Sequence, residues 1–199
     1  MRVQAAILAI VTSGTAVGQG ASGEAVLEAL SAAGTEAAAA VGRGFDAVDP
    51  AVRAMLAPVL AAWIAASREA ALERGVEPVP AQVRAALADH VPDEILDIAR
   101  WRIDDSVLSV QQSLFRMGYT PAVTLDFVVV FAKPADAEDP ALWAHELFHV
   151  MQYRDWGVDG FVERYLADYE AVERDAAEFR WQWMKATGRV PIYRTLPDD

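Results

Sequence analysis

Ala144-His145-Glu146-Leu147-Phe148-His149 is the stretch on which the reading of this chain turns. In a helix, residues four apart share a face, so His145 and His149 can both reach one tetrahedral Zn²⁺ at about 2.0 to 2.1 Å. Glu146 lies roughly 100° round the helix. That puts its carboxylate beside such an ion but outside its ligand shell, where it can take a proton from a water that the ion has acidified. His-Glu-x-x-His is thus the signature of a zinc hydrolase. The same stretch predicts a buried helix. Leu142, His145, His149 and Gln152 form one face and Trp143, Leu147 and Val150 the opposite one, so the helix is apolar on the side away from the metal and must lie inside the fold. Asp139-Pro140 supplies a cap and a first-turn proline to start it. The bland alternative is a core helix whose histidines merely hydrogen-bond.

Working upstream, Phe127-Val128-Val129-Val130-Phe131 is the one clear strand, bounded by Asp126 and Lys133-Pro134, with a short acidic loop from Pro134 to Pro140 behind it. Strand, loop and buried metal helix is the order found in single-domain zinc peptidases, where a strand edge can pair with an extended peptide. Earlier still, Asp49-Pro50 opens a helix with Leu56, Val59, Leu60 and Trp63 at helical spacing, ending near Gly75. A second helix follows Pro80 with Val83 and Leu87 inward. A third follows Pro92-Asp93 with Ile95, Ile98 and Trp101 inward. A fourth, capped by Asp104 or Asp105, runs to Gly118 through Val107, Val110, Leu114 and Met117. The expected fold is α+β and mainly α-helical, a single zincin-like domain over residues 45–199 with a small sheet and a buried motif helix.

Composition bounds the function. The 199 residues suit one domain, and 54% hydrophobic content excludes general disorder. A net charge of -12 argues against nucleic acid and against an anionic membrane surface as partner. Met1-Arg2, the apolar run Ala5 to Val11 and the small residues Ala16-Val17-Gly18 predict an export signal over residues 1–18, so a secreted or periplasmic protein is expected, with no membrane association after cleavage. A small-residue-rich N-terminal helix or anchor is the alternative. Residues 19–44 are rich in Gly, Ala, Ser and Glu and read as a flexible lead-in. The chain contains no cysteine, which excludes a disulfide framework and a lipid-modified cysteine.

Two histidines leave a catalytic zinc site one ligand short. His90, the remaining histidine, sits at an expected helix end, where capping of carbonyls explains it better. The richer source is the segment after Gly157 to Gly160, read as one helix. Val162, Tyr165, Tyr169, Val172, Ala176, Phe179 and Trp183 form its apolar stripe, with Glu163, Glu170 and Glu178 nearly opposite, on a solvated face. Asp168, Glu173 and Asp175 lie at the borders of the stripe, and periodicity leaves all three open as the third ligand.

Residues from about Val91 to Met184 resemble the zinc metallopeptidase family known as the extracellular contractile injection system core domain. The resemblance is carried by Val91-Pro92-Asp93-Glu94-Ile95-Leu96 ahead of Arg100-Trp101-Arg102, by Ala122-Val123-Thr124 through Val130-Phe131, by the block Ala144 to Tyr153, and by Tyr169 to Ala176. Its members look like gluzincins, in which a Glu-x-x-Ala turn on a following helix completes the site. Here that pattern falls on Glu173-Arg174-Asp175-Ala176. The resemblance therefore implies His145, His149 and Glu173 as zinc ligands and Glu146 as general base, while Asp175 stands where some relatives carry another Glu.

The activity this implies is hydrolysis of a protein or peptide substrate. Zn²⁺ lowers the pKa of a water towards about 7 and polarises the scissile carbonyl, and Glu146 moves the proton to the leaving amine. Tyr153, Tyr165, Tyr169, Tyr193, Arg180 and Arg194 are candidate donors to the oxyanion, although Tyr165 and Tyr169 are also simple core residues. Gln152 is a candidate for a hydrogen bond to a ligand histidine. Trp143, Trp156, Trp181 and Trp183 are read as core aromatics rather than a sugar or lipid site. Two other classes stay open: a zinc-containing but non-hydrolytic docking module of a secreted assembly or toxin, and a zinc-free helical interaction domain.

Overall fold

A computed structural model describes residues 50–104 and 121–189. The expected signal segment, the lead-in, the helix expected between Asp105 and Gly118, and Tyr193 and Arg194 lie outside the described residues. The architecture is α+β and mainly helical, with a four-stranded sheet. In chain order the elements are α1 (Pro50–Glu73), β1 (Glu77–Pro78), α2 (Ala81–Leu87), α3 (Asp93–Ile98), β2 (Arg100–Ile103), β3 (Ala122–Leu125), β4 (Val128–Phe131), α4 (Pro134–Ala137), α5 (Pro140–Ala167) and α6 (Tyr169–Ala186). No described helix is long and apolar enough to cross a membrane.

The sheet order is β1-β2-β4-β3, so the apolar run at 128–131 is an interior strand. It pairs in parallel with β2, Arg100 opposite Val128, and antiparallel with β3, Ala122 opposite Phe131. Both of its edges are used, and the outer strand on the side of the motif helix is β3, which corrects the expectation that the 127–131 strand offers its edge. β3 and β4 join in a tight hairpin, with Asp126 at φ 60 in the left-handed region that Asp tolerates better than most residues. The turn is held from outside by Arg68, whose guanidinium donates to the Asp126 carboxylate.

The run Val128-Val129-Val130-Phe131 is uninterruptedly apolar because both faces of the sheet are covered. Val123, Leu125, Val128 and Val130 pack with Ala61, Trp63 and Ile64 of α1 and with Phe161, Val162 and Tyr165 of α5. Ala122, Val129 and Phe131 pack on the other side with Leu87, Ile95, Trp143, Ala144, Leu147 and Trp183. The indole N–H groups of Trp143 and Trp183 donate to the carbonyls of Ala137 and Ala86, at 2.8 and 3.1 Å. Both rings are core residues, as expected, whereas Trp181 is 40% exposed and does not join the core.

α2 follows the expected pattern, with Val83 and Leu87 buried. α3 departs from it. Ile95 is buried, but Ile98 is 45% exposed and Trp101 belongs to β2. The reason is local. Ala99 turns extended, the Arg100 guanidinium folds back to donate to the carbonyls of Asp97, Ile98 and Ala99 at 2.8, 3.3 and 2.9 Å, and the chain is free to pair with β4. The segment after the motif also differs from one continuous helix. Gly157 takes φ 68 and ψ 172 and kinks α5, and Asp168 at φ -157 separates α5 from α6.

Candidate metal centre

α5 starts as its sequence predicts. The Asp139 side chain accepts from the Ala141 N–H at 2.8 Å, and Pro140 occupies the first turn. The helix then runs through the core, with Leu142, Glu146, His149 and Gln152 buried as well as Trp143, Leu147 and Val150. His145 and His149 lie one above the other, their Nε2 atoms 3.2 Å apart.

α6 crosses this helix and brings in Glu173. Its Oε2 lies 3.3 Å from His145 Nε2 and its Oε1 3.6 Å from His149 Nε2. Four ligands at about 2.0 to 2.1 Å around a tetrahedral ion are about 3.3 to 3.4 Å apart. The histidine pair, at 3.2 Å, falls close to that value, while Glu173 meets the two histidines through different oxygens, and one donor atom from each of the three residues lies within 4.8 Å of the others. His145, His149 and Glu173 form a group that could hold a metal ion.

The hydrogen bonds around the cluster prepare one histidine for a metal more fully than the other. The Gln152 amide nitrogen donates to the Val172 carbonyl at 3.4 Å, so its Oε1 faces His149 Nδ1 at 2.7 Å and accepts the proton there. Neutral His149 then presents a lone pair on Nε2. His145 Nδ1, by contrast, is buried without a hydrogen-bond partner among the described residues.

Charge within the cluster is strongly coupled. Burial works against a protonated His149, but the hydrogen bond and charge of Glu173 outweigh it and raise its pKa to about 8. Burial likewise pushes the Glu173 carboxyl up, and the hydrogen bonds of His145 and His149 overcome it, holding it well below the usual carboxylate range. Tyr165 hydrogen-bonds Glu173 and is kept as a phenol, first by burial and then by the Glu173 charge. Its ring stacks on Phe161, which in turn stacks on Tyr153 at 3.9 Å and meets His149 edge-on at 6.0 Å.

Of the three candidates for the third position, only Glu173 joins the histidines. Asp168 caps α6, its Oδ1 accepting from the Ala171 N–H at 2.8 Å, and Asp175 is exposed. His90 plays no part in the cluster; its N–H closes a turn on Leu87. Glu163, Glu170 and Glu178 are exposed, as their helix face predicts. Arg180 is seven residues beyond Glu173 on α6, about 10 Å along the axis. One contact has no counterpart among the sequence expectations: the Thr124 hydroxyl of β3 donates to Glu146 Oε2 at 2.7 Å. Its only signal is a lone hydroxyl in the otherwise apolar Ala122-Val123-Thr124-Leu125.

Fold and site together define a small α+β domain in which a buried His-Glu-x-x-His helix and a carboxylate from the following helix enclose a candidate metal centre. Residues 78–157 match the family model described as the eCIS core domain, which supports the resemblance to that family. The matched segment includes His145, Glu146 and His149 and ends at Gly157, ahead of Glu173. No curated protein and no solved structure matches the chain.

Proposed function

We propose that the chain is an exported zinc-dependent metallopeptidase that hydrolyses peptide bonds, with His145, His149 and Glu173 as zinc ligands and Glu146 as general base. The observation that carries this reading is the meeting of His145 and His149 with Glu173 of the next helix in a group that could hold a metal ion, with Glu146 buried on the helix that bears the two histidines. Binding alone needs no such base. Zinc, held there, supplies Lewis acidity towards a water and a carbonyl. Glu146 accepts the proton of the attacking water and returns it to the leaving nitrogen as the C–N bond breaks. Gln152 holds His149 in the tautomer that donates through Nε2, and Tyr165 orients Glu173.

A second reading is favoured by the family match: a non-hydrolytic, zinc-containing docking module of a secreted assembly, in keeping with a family described by a core domain rather than by an activity. Elemental mass spectrometry combined with casein digestion separates the readings. About one zinc per chain is expected in wild type and Glu146→Gln, with loss in His145→Ala and Glu173→Ala, and cleavage by wild type alone. Zinc without turnover on broad substrate panels points to the docking module. Absence of zinc from wild type removes both readings and leaves a helical interaction domain.

A further inference from the structure

Glu146 is 5% exposed and its carboxylate has one hydrogen-bond partner among the described residues, the Thr124 hydroxyl. Thr124 is itself 6% exposed. The O–H···O distance of 2.7 Å is that of a well-formed hydroxyl hydrogen bond. The same hydroxyl lies 3.2 Å from the Glu146 carbonyl, and its single proton goes to the nearer acceptor, Oε2.

The surroundings make the hydroxyl conspicuous. Thr124 pairs with Val129 and shares its side of β3 with Ala122, the side that packs on Trp143, Ala144 and Leu147. Valine is nearly the same shape as threonine, forms strands as readily and suits such a face better. A buried hydroxyl is costly unless it is bonded, and here its bond goes to Glu146. With Oε2 taken, Oε1 is the oxygen left free to exchange a proton. Glu146 has several side-chain torsions to order, and a base is effective only when held within hydrogen-bond reach of the proton it removes.

We propose that Thr124 is a positioning residue that locks the Glu146 carboxylate so that Oε1 faces the water to be activated. The inference rests on the peptidase reading above. In the reaction the water O–H bond breaks as an O–H bond forms at Oε1. That proton then passes to the leaving nitrogen as the peptide C–N bond breaks, with the Thr124 proton staying in place throughout.

The test compares wild type, Thr124→Val and Thr124→Ser, each checked for zinc content and melting temperature. Thr124→Val is expected to keep its zinc and its KM but lose about 10- to 100-fold in kcat, the range typical of lost outer-shell partners, with Thr124→Ser restoring kcat to within a few-fold. Crystal structures of the two variants give a readout independent of turnover: the Glu146 carboxylate leaves its orientation in Thr124→Val and keeps it in Thr124→Ser. Thr124→Val with wild-type kcat, or with Glu146 unmoved, overturns the positioning role. A kcat loss in both variants that tracks a fall in melting temperature also overturns it, in favour of a purely structural strap between β3 and α5. Wild type without turnover is a different failure, because it overturns the peptidase reading and with it any catalytic consequence of Thr124.

Discussion

At the scale of single residues, the two histidines of the cluster are unequally prepared. His149 has its Nδ1 proton accepted by Gln152, whereas His145 Nδ1 is buried with no partner among the described residues. A ligand whose tautomer is fixed in advance binds metal without reorganising, so most of the preparation of this site lies in Gln152. Gln152→Leu keeps the size and burial of the side chain but removes the acceptor. Zinc affinity is expected to fall about 10- to 100-fold, read by competition against a chelating dye, with the stoichiometry still one per chain at saturation. Affinity within twofold of wild type would show that the bond is incidental. His145, Glu146, His149 and Gln152 were legible in the sequence because one helix carries all four and its period alone sets their relation. Thr124 was not, since its bond to Glu146 spans 22 residues and two elements. Glu173 was intermediate. Periodicity confined the candidate carboxylates to the border of the apolar stripe, and the crossing of α6 over α5 brings one of the three, Glu173, to the histidines.

At the scale of elements, the placement of Glu173 depends on where α6 begins. Asp168 leaves the helical region and its side chain caps the Ala171 N–H, so Glu173 stands within the second turn of a helix with a fixed start. Of the stripe, Val162, Tyr165, Val172, Ala176 and Trp183 are buried as the pattern requires and Tyr169 and Phe179 are partly buried, even though two helices share it. Hydrophobic spacing reports burial well and continuity poorly, because an Asp can read either as an interior polar residue or as a cap. For the same reason Trp101, at helical distance from Ile98, was legible as apolar but not as a strand residue; pairing with β4 recruited it. Asp168→Ala tests the capping role against the ligand role that the sequence left open. Loss of a cap costs about 1 kcal/mol, which chemical denaturation should detect, while zinc stoichiometry is expected to stay at one per chain. Loss of the metal together with the stability would return Asp168 to the ligand set.

For the whole molecule, the cluster ties α5 to α6 by an ion pair when no metal is bound and by shared coordination when one is, and these two ties respond to pH in opposite senses. His149 has its pKa raised from 6.5 to about 8 in the metal-free fold, chiefly because Glu173 overcomes the cost of burial. The folded protein therefore holds this proton more tightly than the unfolded chain. Its contribution to stability is complete below pH 6.5 and is lost as pH rises through about 8. Zinc needs the same nitrogen unprotonated, so below about pH 8 uptake must displace a proton and the apparent affinity falls, approaching about tenfold per pH unit. Metal-free stability declines across the interval in which zinc affinity grows. The increment in melting temperature between chelator-treated and zinc-saturated protein is thus expected to widen from about pH 6 and to level off above about pH 8. Paired thermal melts at intervals across that range give the answer directly. A flat or shrinking increment would mean that zinc, if it binds, does not compete with the His149 proton, and that the cluster acts as a hydrogen-bonded strut between the two helices.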